Sequence, residues 1–322
     1  MRPVSGKRLP LGIDLGLARV RVAALSLAQD GTVKLDAIGA ADVVESQATA
    51  LASAVSQLGV NERRCIPMMR LPGARLRSVQ LPPMKRRQAD RAIRFEGISL
   101  FPAENREHIV VRSIDRRADD GGRRVLIAAA SIRQIRETMA IAASAGLRPV
   151  CLDHEICALT RLGQLPILDI GFNQSTLIAV AEGVPVAHVI HLGGEHFTHA
   201  LAADLGVDYS AAEARKRTVG LGGAATGAVD AFISALCEQT TVLRSARDAW
   251  NETLYICGNG SRLLELRERI AAEIMVNVVP ISLRGKVATT LPLEVERSGA
   301  IDWFAAIAAA IPVSREPLVC TA

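Results

Sequence analysis

Aromatic side chains are scarce in this chain. Phe, Trp and Tyr make up 3% of its 322 residues, with six Phe, two Trp and two Tyr. Proteins that bind single-stranded nucleic acids stack successive bases on aromatic rings, so this shortage argues against nucleic acid as a partner. The hydrophobic fraction is nevertheless 49%. The core must therefore consist mainly of Ala, Leu, Val and Ile.

Long apolar runs and paired cysteines are also missing. No run reaches the length of about 18 residues that a membrane-spanning helix needs, and the alanine-rich stretch at residues 303–311 is too short. None of the six cysteines forms a CxxC pair, and most lie in apolar runs, which is typical of buried, reduced thiols in a cytosolic protein. The basic N-terminus leads into a strand-like segment rather than a signal sequence. We expect neither secretion nor a membrane span; attachment to a membrane through a partner stays open.

A repeated strand–turn–strand pattern is the first feature that is present. The length of 322 residues suggests about two domains. Residues 9–22 read as two strands around a turn that contains Asp14 and Gly16, and residues 166–180 repeat the pattern with Asp169 and Gly171. One Asp-x-Gly turn is typical of an ordinary hairpin, but two facing hairpins with carboxylates can hold the phosphates of a nucleotide. The repeat predicts two related lobes.

Further loops fit the same kind of ligand. The loop at residues 258–262, GNGSR, follows a predicted strand and begins a helix. Its glycines allow close backbone approach, the helix N-terminus favours anions, and Arg262 could stack on a base. The alternative interpretation is that these residues only cap the helix and bind no ligand. Gly193 and Gly194 also precede a helix, and Glu155 lies just before the second hairpin.

Positive charge is concentrated in one segment. Residues 62–124 hold 16 Lys plus Arg against 8 Asp plus Glu, a net charge of +8, whereas the whole chain carries +5. Within this segment, residues 84–100 are predicted to form a charged amphipathic helix with Ile93 and Ile98 facing inward. A small, solvated subdomain accounts for such a charge, and so does a patch that meets an acidic partner or an anionic lipid surface.

Taken in order, these motifs resemble the actin-like ATPase superfamily: a first phosphate loop, a connecting helix, a second phosphate loop, a helix start with two glycines and an adenosine loop. Within the superfamily the chain is most similar to the PilM family of type IV pilus assembly proteins. The runs that carry this resemblance are residues 11–22 (LGIDLGLARVRV), 89–102 (ADRAIRFEGISLFP), 125–162 and 193–217. The resemblance implies an α/β, actin-like ATPase fold of two RNase H-like lobes with an inserted SHS2-like subdomain, called 1C.

The resemblance also implies a division of the chain. Lobe 1A would comprise residues 1–82 and about 151–166, with the 1C subdomain inserted at residues 83–150. Residues 167–290 would form lobe 2 (2A and 2B), and residues 291–322 would form a C-terminal segment that returns to lobe 1.

Binding of ATP and Mg²⁺ is implied in the same way. Asp14 and Asp169 would position Mg²⁺ through water, and Glu155 would orient water if hydrolysis occurs. The residues expected to border the phosphates are Gly16, Gly171 and Ser175. Those expected to surround the nucleoside are Gly193, Gly194, Glu213, Lys216, Gly258, Gly260, Ser261 and Arg262.

The first phosphate loop departs from the family pattern. The family usually has Ser or Thr after the glycine, whereas this chain has Leu17, Ala18 and Arg19, with Arg21 near the usual Lys. Hydroxyl donors to phosphate are therefore missing, although Arg19 or Arg21 could compensate. In the second loop, Phe172 is bulky where a small residue is usual. The chain is thus at most a weak ATPase, and a degenerate scaffold without nucleotide is the alternative.

The function implied by the resemblance is assembly rather than metabolism. A PilM-like protein would lie in the cytoplasm at the inner membrane and bind the N-terminal tail of a PilN-like bitopic partner. The tail groove is expected between 1A and 1C, with Arg94 and Phe95 as candidate contacts. Nucleotide would act by fixing the angle between the lobes. Other pilus assembly proteins and a second copy of the chain are further candidate partners.

Two other functions stay open as alternatives. An FtsA-like cell-division protein would need a C-terminal amphipathic membrane helix, but residues 301–322 contain one basic residue, Arg315. A small-molecule kinase of the same superfamily would need a catalytic carboxylate in a substrate pocket, for which the sequence offers no convincing candidate. The four histidines at residues 188–199 do not suggest the convergent geometry of zinc, and a P-loop motif is absent.

Overall fold

The computed structural model describes residues 6–70, 73–102, 109–117, 123–181, 184–245, 252–283, 285–289, 291 and 293–312. This part of the chain is a mixed α/β structure with three sheets. The strands are β1 (Lys7–Arg8), β2 (Leu11–Leu15), β3 (Arg19–Leu27), β4 (Val33–Asp42), β5 (Arg64–Met69), β6 (Ala74–Leu81), β7 (Ile109–Arg117), β8 (Arg123–Ser131), β9 (Arg148–Pro149), β10 (Asp153–His154), β11 (Ile167–Ile170), β12 (Ser175–Ala181), β13 (Val184–Ile190), β14 (Thr253–Cys257), β15 (Asn277–Pro280) and β16 (Ala288–Thr289). The helices are α1 (Gln47–Ser56), α2 (Arg86–Ser99), α3 (Ile132–Ser144), α4 (Glu155–Thr160), α5 (Gly194–Leu205), α6 (Tyr209–Thr218), α7 (Thr226–Ser245), α8 (Leu264–Ile274) and α9 (Leu293–Ala310).

The first sheet is organised around the hairpin that contains Asp14. Its strand order is β10-β5-β2-β3-β4-β16, with β1 added to β3 and β9 added to β5. Strands β2, β3 and β4 are antiparallel, whereas β5 runs parallel to β2. Helix α1 packs on β3 and β4, and α9 packs on β2 and β3. Because helices cover both faces, β2 and most of β3 are buried and mainly apolar, apart from Asp14 and Arg21.

The second sheet repeats this arrangement. Its order is β13-β12-β11-β14-β15, in which β11, β12 and β13 are antiparallel and β14 runs parallel to β11. Helices α5, α7 and α8 share a hydrophobic core with this sheet, centred on Phe197 and Phe232. The strand–turn–strand pattern that the sequence shows twice is therefore present in both sheets, each time with a parallel strand beside the first strand of the hairpin.

The third sheet is small and lies in the basic segment. It has the antiparallel order β6-β8-β7 and is covered by α2, which buries Ala89, Ile93 and Gly97. Strand β6 pairs with β8 along its whole length, so residues 74–81 belong to the third sheet. Helix α3 contacts α1, β5 and β9, and it also contacts β8. The boundaries of the 1C subdomain at residues 83–150 stay a prediction.

The alanine-rich stretch near the C-terminus is a core helix. Helix α9 contacts β2, β3, β5 and α4, and its last turns, from Phe304 onwards, are buried. The helix lies so close to β2 that a Cβ atom at Gly12 would overlap the carbonyl oxygen of Ala306. Trp303 Nε1 also donates to the Gly39 carbonyl at 2.9 Å. No helix among the described residues is long and apolar enough to cross a membrane; residues 313–322 lie outside them.

The contact between Gly12 and α9 gives a test of the fold. We expect Gly12→Ala to lower the free energy of unfolding by about 1–3 kcal/mol or more, because the added methyl group overpacks a backbone contact. Gly227→Ala is the matched control, since Gly227 lies in α7 with no neighbouring atom near a Cβ; it should leave stability unchanged or raise it by up to about 1 kcal/mol. Urea unfolding measures both. Equal stability of the two variants would contradict the packing of α9 on β2.

The cysteines provide a second test. Burial raises the pKa of Cys65 and of Cys157 to about 12, and it also raises that of Cys257. Because the thiolate is the reactive form, we expect these three thiols to resist iodoacetamide in the native protein at pH 8. The same thiols should react readily in urea, as peptide mass spectrometry will show. Labelling at equal rates in the native and unfolded protein would contradict their burial.

Candidate functional site

A cleft of about 750 Å³ lies between the first and second sheets. Its walls come from the β2–β3 and β11–β12 hairpins, from α3 and α6, and from the loop that follows β14. Ligand pockets for small molecules and cofactors are typically roughly 300–1,000 Å³. The cleft is therefore large enough for a nucleotide.

Two buried carboxylates lie at the base of the cleft. Asp14 is opposite Arg21 in the β2–β3 register, and Asp169 is opposite Thr176 in β11–β12. Asp169 is also the β11 neighbour of Cys257 in β14. The side chains of Asp14 and Asp169 are 3% and 9% exposed. Carboxylates this buried need a cation or hydrogen-bond donors.

Arg70 provides the cation. It follows β5, which is parallel to β2, so its side chain starts at the same end of the first sheet as Asp14. Its Nη2 atom lies 3.0 Å from Asp14 Oδ1, and its Nε donates to the same oxygen at 3.1 Å. Its Nη1 atom contacts Glu155 Oε1 and lies 3.7 Å from Asp169 Oδ2. One guanidinium group thus joins carboxylates from both sheets and from α4.

The charges of this cluster shift each other's protonation. Burial lowers the pKa of Arg70, but the charges of Asp14, Glu155 and Asp169 outweigh that effect and raise the pKa above its usual value. Burial raises the pKa of Glu155 well above its usual value; Arg70 opposes the shift, and the two aspartates add to it. Arg70 therefore stays charged, whereas the neutral form of Glu155 is favoured more than in water.

Arg21 connects the first hairpin to the loop after β14. Its Nη1 lies 3.5 Å from Asp14 Oδ2, and its Nη2 donates to Asn259 Oδ1 at 2.9 Å. Its Nε is buried without a hydrogen-bond partner in the described part of the chain. Arg19 forms a more exposed ion pair with Asp42 at 3.7 Å, and Leu17 is 60% exposed. The first loop thus presents arginines, rather than hydroxyl groups, to the cleft.

The second loop uses its polar backbone groups internally. The Gly171 and Phe172 carbonyls accept hydrogen bonds from the Gly194 and Glu195 amides, at 2.9 and 2.8 Å, where α5 begins. A Cβ atom at Gly193 would lie 2.6 Å from the Phe172 oxygen, so that contact requires glycine. The second loop is therefore hydrogen-bonded to the N-terminus of α5, and the Gly194 and Glu195 amides are not free to bind a ligand.

Helix α6 carries a compact polar group at the opposite wall. Lys216 Nζ contacts Glu213 Oε2 at 2.6 Å, the Gly194 carbonyl at 2.7 Å and Thr198 Oγ1 at 2.5 Å. Burial lowers the pKa of Lys216, although Glu213 opposes the shift. Burial raises the pKa of Glu213, but hydrogen bonds from Lys216, Thr198 and Arg217 outweigh it and lower the pKa. This group braces α5 against α6.

The loop after β14 forms a short 3₁₀ turn at Asn259–Arg262. Gly258 has a φ of +78°, and a Cβ there would overlap Asp169, so the position requires glycine. Ser261 is buried and donates to the Gly258 carbonyl at 2.7 Å. The Arg262 guanidinium forms an ion pair with Asp302 of α9. The turn is thus tied to the second hairpin and to the C-terminal helix.

Most of the predicted nucleotide-site residues come together in the cleft. Those that line it are Asp14, Gly16, Asp169, Gly171, Gly194, Glu213, Lys216, Gly258, Gly260 and Arg262. Four lie behind this lining, buried or in turns: Glu155, Ser175, Gly193 and Ser261. The Ser175 hydroxyl donates to the Leu192 carbonyl at 2.8 Å, so that donor is already used.

Sequence reasoning missed Arg70 and Asn259. The available signal for Arg70 was its place at the end of an apolar run, directly after what proves to be β5, where such sites form. Asn259 lies in the loop whose glycines are the sequence signal for nucleotide binding. Its hydrogen bond with Arg21 could not be predicted, because the two residues are distant in sequence.

Arg94 and Phe95 lie outside the cleft. Both are exposed on α2, and the Phe95 side chain is 65% exposed, unusual for a large apolar group. Within the described residues, the cleft included, no group of three or more His, Cys, Asp or Glu side chains is arranged to hold a metal ion.

Comparison with known proteins gives matches in structure alone. No protein-family model and no curated protein matches the sequence. A chain of the "PilM-PilN type IV pilus biogenesis complex" matches with a TM-score of 0.76 and 23% identity, over 96% of this chain and 98% of that chain. A diol dehydratase-reactivating factor in nucleotide-free form matches with a TM-score of 0.52 and 10% identity, over 85% and 95%.

The chain therefore has the actin-like ATPase fold. The similarity to PilM inferred from the sequence motifs is confirmed at the level of the fold, over almost the full length of both chains.

The polar group on α6 can be tested directly. We expect Thr198→Val to lower the free energy of unfolding by about 1–3 kcal/mol, because the half-buried Lys216 and Glu213 each lose the hydrogen bond to the buried Thr198 hydroxyl. Thr218→Val, at the exposed C-terminal end of α6, should change it by less than about 0.5 kcal/mol. Urea unfolding gives both values. A Thr198→Val variant as stable as the control would show that the group does not brace the two helices.

Proposed function

We propose that this chain is an assembly scaffold of a type IV pilus, or of a related secretion machine, at the inner membrane. In this role it binds the cytoplasmic N-terminal tail of a PilN-like bitopic protein. The observation that carries the proposal is the structural match to PilM in its complex with PilN, which extends over 96% of this chain. Attachment to the membrane follows from the partner.

The exposed face of α2 supports a site for that tail. Ala89, Ile93 and Gly97 face the third sheet, which leaves Arg94 and Phe95 on the outer side. A large exposed aromatic beside an arginine is the kind of pair that carries much of the energy of a protein interface. We assign these two residues to the tail-binding groove between lobe 1A and the 1C subdomain.

The cleft supports binding of an adenine nucleotide. The two hairpins would hold the phosphates near Gly16, Gly171 and Arg21, because arginine suits phosphate as a donor of several hydrogen bonds. The glycine turn and Arg262 would enclose the nucleoside with Glu213 and Lys216. Bound nucleotide would fix the angle between the two sheets and so the shape of the tail groove.

The cleft supports hydrolysis of a nucleotide less well than binding of one. The Glu155 carboxylate, the candidate for orienting water, lies behind the cleft lining and contacts Arg70. A scaffold that binds no nucleotide is the second candidate function, favoured by the internal use of the Ser175 hydroxyl and of the α5 amides. Residues 304–310 are buried in the core and do not form the exposed amphipathic membrane helix that the FtsA-like alternative needs.

The tail site gives the principal test. Isothermal titration calorimetry measures binding of a synthetic peptide with the sequence of the PilN-like tail from the same genome. We expect the double variant Arg94→Ala/Phe95→Ala to bind at least about tenfold more weakly. The double variant Arg269→Ala/Met275→Ala removes an exposed cation and an exposed apolar group from the second lobe and should bind like the unmodified protein.

Two results would overturn parts of this proposal. Unchanged tail affinity in the folded Arg94/Phe95 variant would remove α2 from the interface. Failure of the unmodified protein to bind the tail at all would refute the partner. ATP and ADP titrations of the same preparation separate the nucleotide-binding scaffold from the nucleotide-free one.

A further inference from the structure

The carboxylates expected to hold hydrated Mg²⁺ already have a cation. Arg70 lies 3.0 Å from Asp14 Oδ1 and 3.7 Å from Asp169 Oδ2, and it contacts Glu155 as well. These are the oxygens to which water molecules of a hydrated metal ion would have to donate. The residues present therefore do not fit Mg²⁺ at this position.

We infer that the Arg70 guanidinium replaces the divalent cation in this cleft, so that the chain binds a nucleoside di- or triphosphate as the metal-free anion. The part that concerns nucleotides rests on the function proposed above. The exclusion of a metal ion follows from the contacts of Arg70 with the three carboxylates and does not depend on nucleotide binding.

Space is the first argument for the exclusion. Mg²⁺ demands six oxygen ligands in nearly ideal octahedral geometry and usually keeps several waters. The planar guanidinium lies between Asp14 and Asp169: its Nε and Nη2 contact Asp14 Oδ1, and its Nη1 lies 3.7 Å from Asp169 Oδ2. A hydrated ion could enter only if Arg70 left its three carboxylate partners.

Charge is the second argument. Arg21 lies 3.5 Å from the other oxygen of Asp14, so two arginines face the two buried aspartates. The two guanidinium groups already compensate the charges of the two aspartates. A divalent ion would add two positive charges beside two guanidinium groups at the base of the cleft, where partly buried charges are screened less than in bulk water.

The arginines also provide what a free phosphate needs. The side chain of Arg70 is 29% exposed and lines the cleft. Arg21 also lines the cleft, and its buried Nε has no hydrogen-bond partner within the described residues. An unsatisfied buried donor is costly, so the described residues leave part of the donor capacity of Arg21 unused. A metal-free phosphate group therefore complements this end of the cleft.

Manganese binding tests the exclusion without any nucleotide. Electron paramagnetic resonance of Mn²⁺ alone, added to the full chain, should show no bound metal in the unmodified protein. The variant Arg70→Ser frees the three carboxylates and should bind about one Mn²⁺ per chain, at least about tenfold more tightly than the unmodified protein. Arg70→Lys, which keeps the charge, should bind none. Arg161→Ala is the matched control, because Arg161 pairs with the single carboxylate of Asp153 outside the cleft; it should also bind none.

Calorimetry with ADP tests the nucleotide form. The unmodified protein should bind ADP with the same affinity in EDTA and in Mg²⁺, within about twofold, whereas Arg70→Ser should gain at least about tenfold in affinity on addition of Mg²⁺. Stoichiometric Mn²⁺ binding by the unmodified protein that Asp14→Asn abolishes would overturn the inference. A folded Arg70→Ser variant that binds no Mn²⁺ would also overturn it.

The two proposals fail in different ways. If no variant binds ADP with or without Mg²⁺, nucleotide binding by this cleft is refuted, and the Mn²⁺ measurement still decides on Arg70. Thermal unfolding checks that each variant is folded. If Arg70→Ser does not fold, the larger uncharged substitution Arg70→Gln, compared with the unmodified protein, tests the same point.

Discussion

The contact of Arg70 with three carboxylates holds the two halves of this fold in register. Asp14 comes from the first sheet, Asp169 from the second, and Glu155 from the helix between them. Removing one partner from a buried ionic cluster leaves an uncompensated charge, which is strongly destabilising. The cleft, its hairpins and the loops that close it all depend on this balance of charge, and so does any ligand that enters.

The glycine pattern of the loops has a structural cause that is independent of any ligand. Gly193 approaches the Phe172 carbonyl, and Gly258 takes a left-handed conformation against Asp169. These contacts require glycine for packing, whether or not phosphate lies nearby. Glycine-rich turns at these positions are therefore good evidence for the fold and poor evidence for a particular ligand. The arginines and the internally bonded hydroxyl of Ser175 say more about the chemistry.

Sequence reasoning succeeded where structure is local. The turn residues and apolar runs predicted both hairpins, and the spacing of apolar positions predicted α2. The residues of those hairpins and of the glycine loops do meet in one cleft. Burial of hydroxyl groups such as Ser261 could not be predicted, because it depends on how loops from distant segments pack. The cluster at Arg70 was missed for the same reason, since its partners are brought together only by the pairing of β2 with β5 and the docking of the two sheets.

The position of α9 has a consequence for how the chain is made. Strand β2, near the N-terminus, is covered by a helix whose central residues are synthesised almost 300 positions later, as the contact of Gly12 with Ala306 shows. At ribosomal rates of roughly 5–20 residues per second, roughly 15–60 s pass between the synthesis of β2 and that of the part of α9 that packs on it. During that time one apolar face of the first sheet is exposed on the nascent chain. A contact this distant in sequence also slows folding, so a chaperone that shields this face during synthesis would raise the yield of the native protein more than one that acts after release.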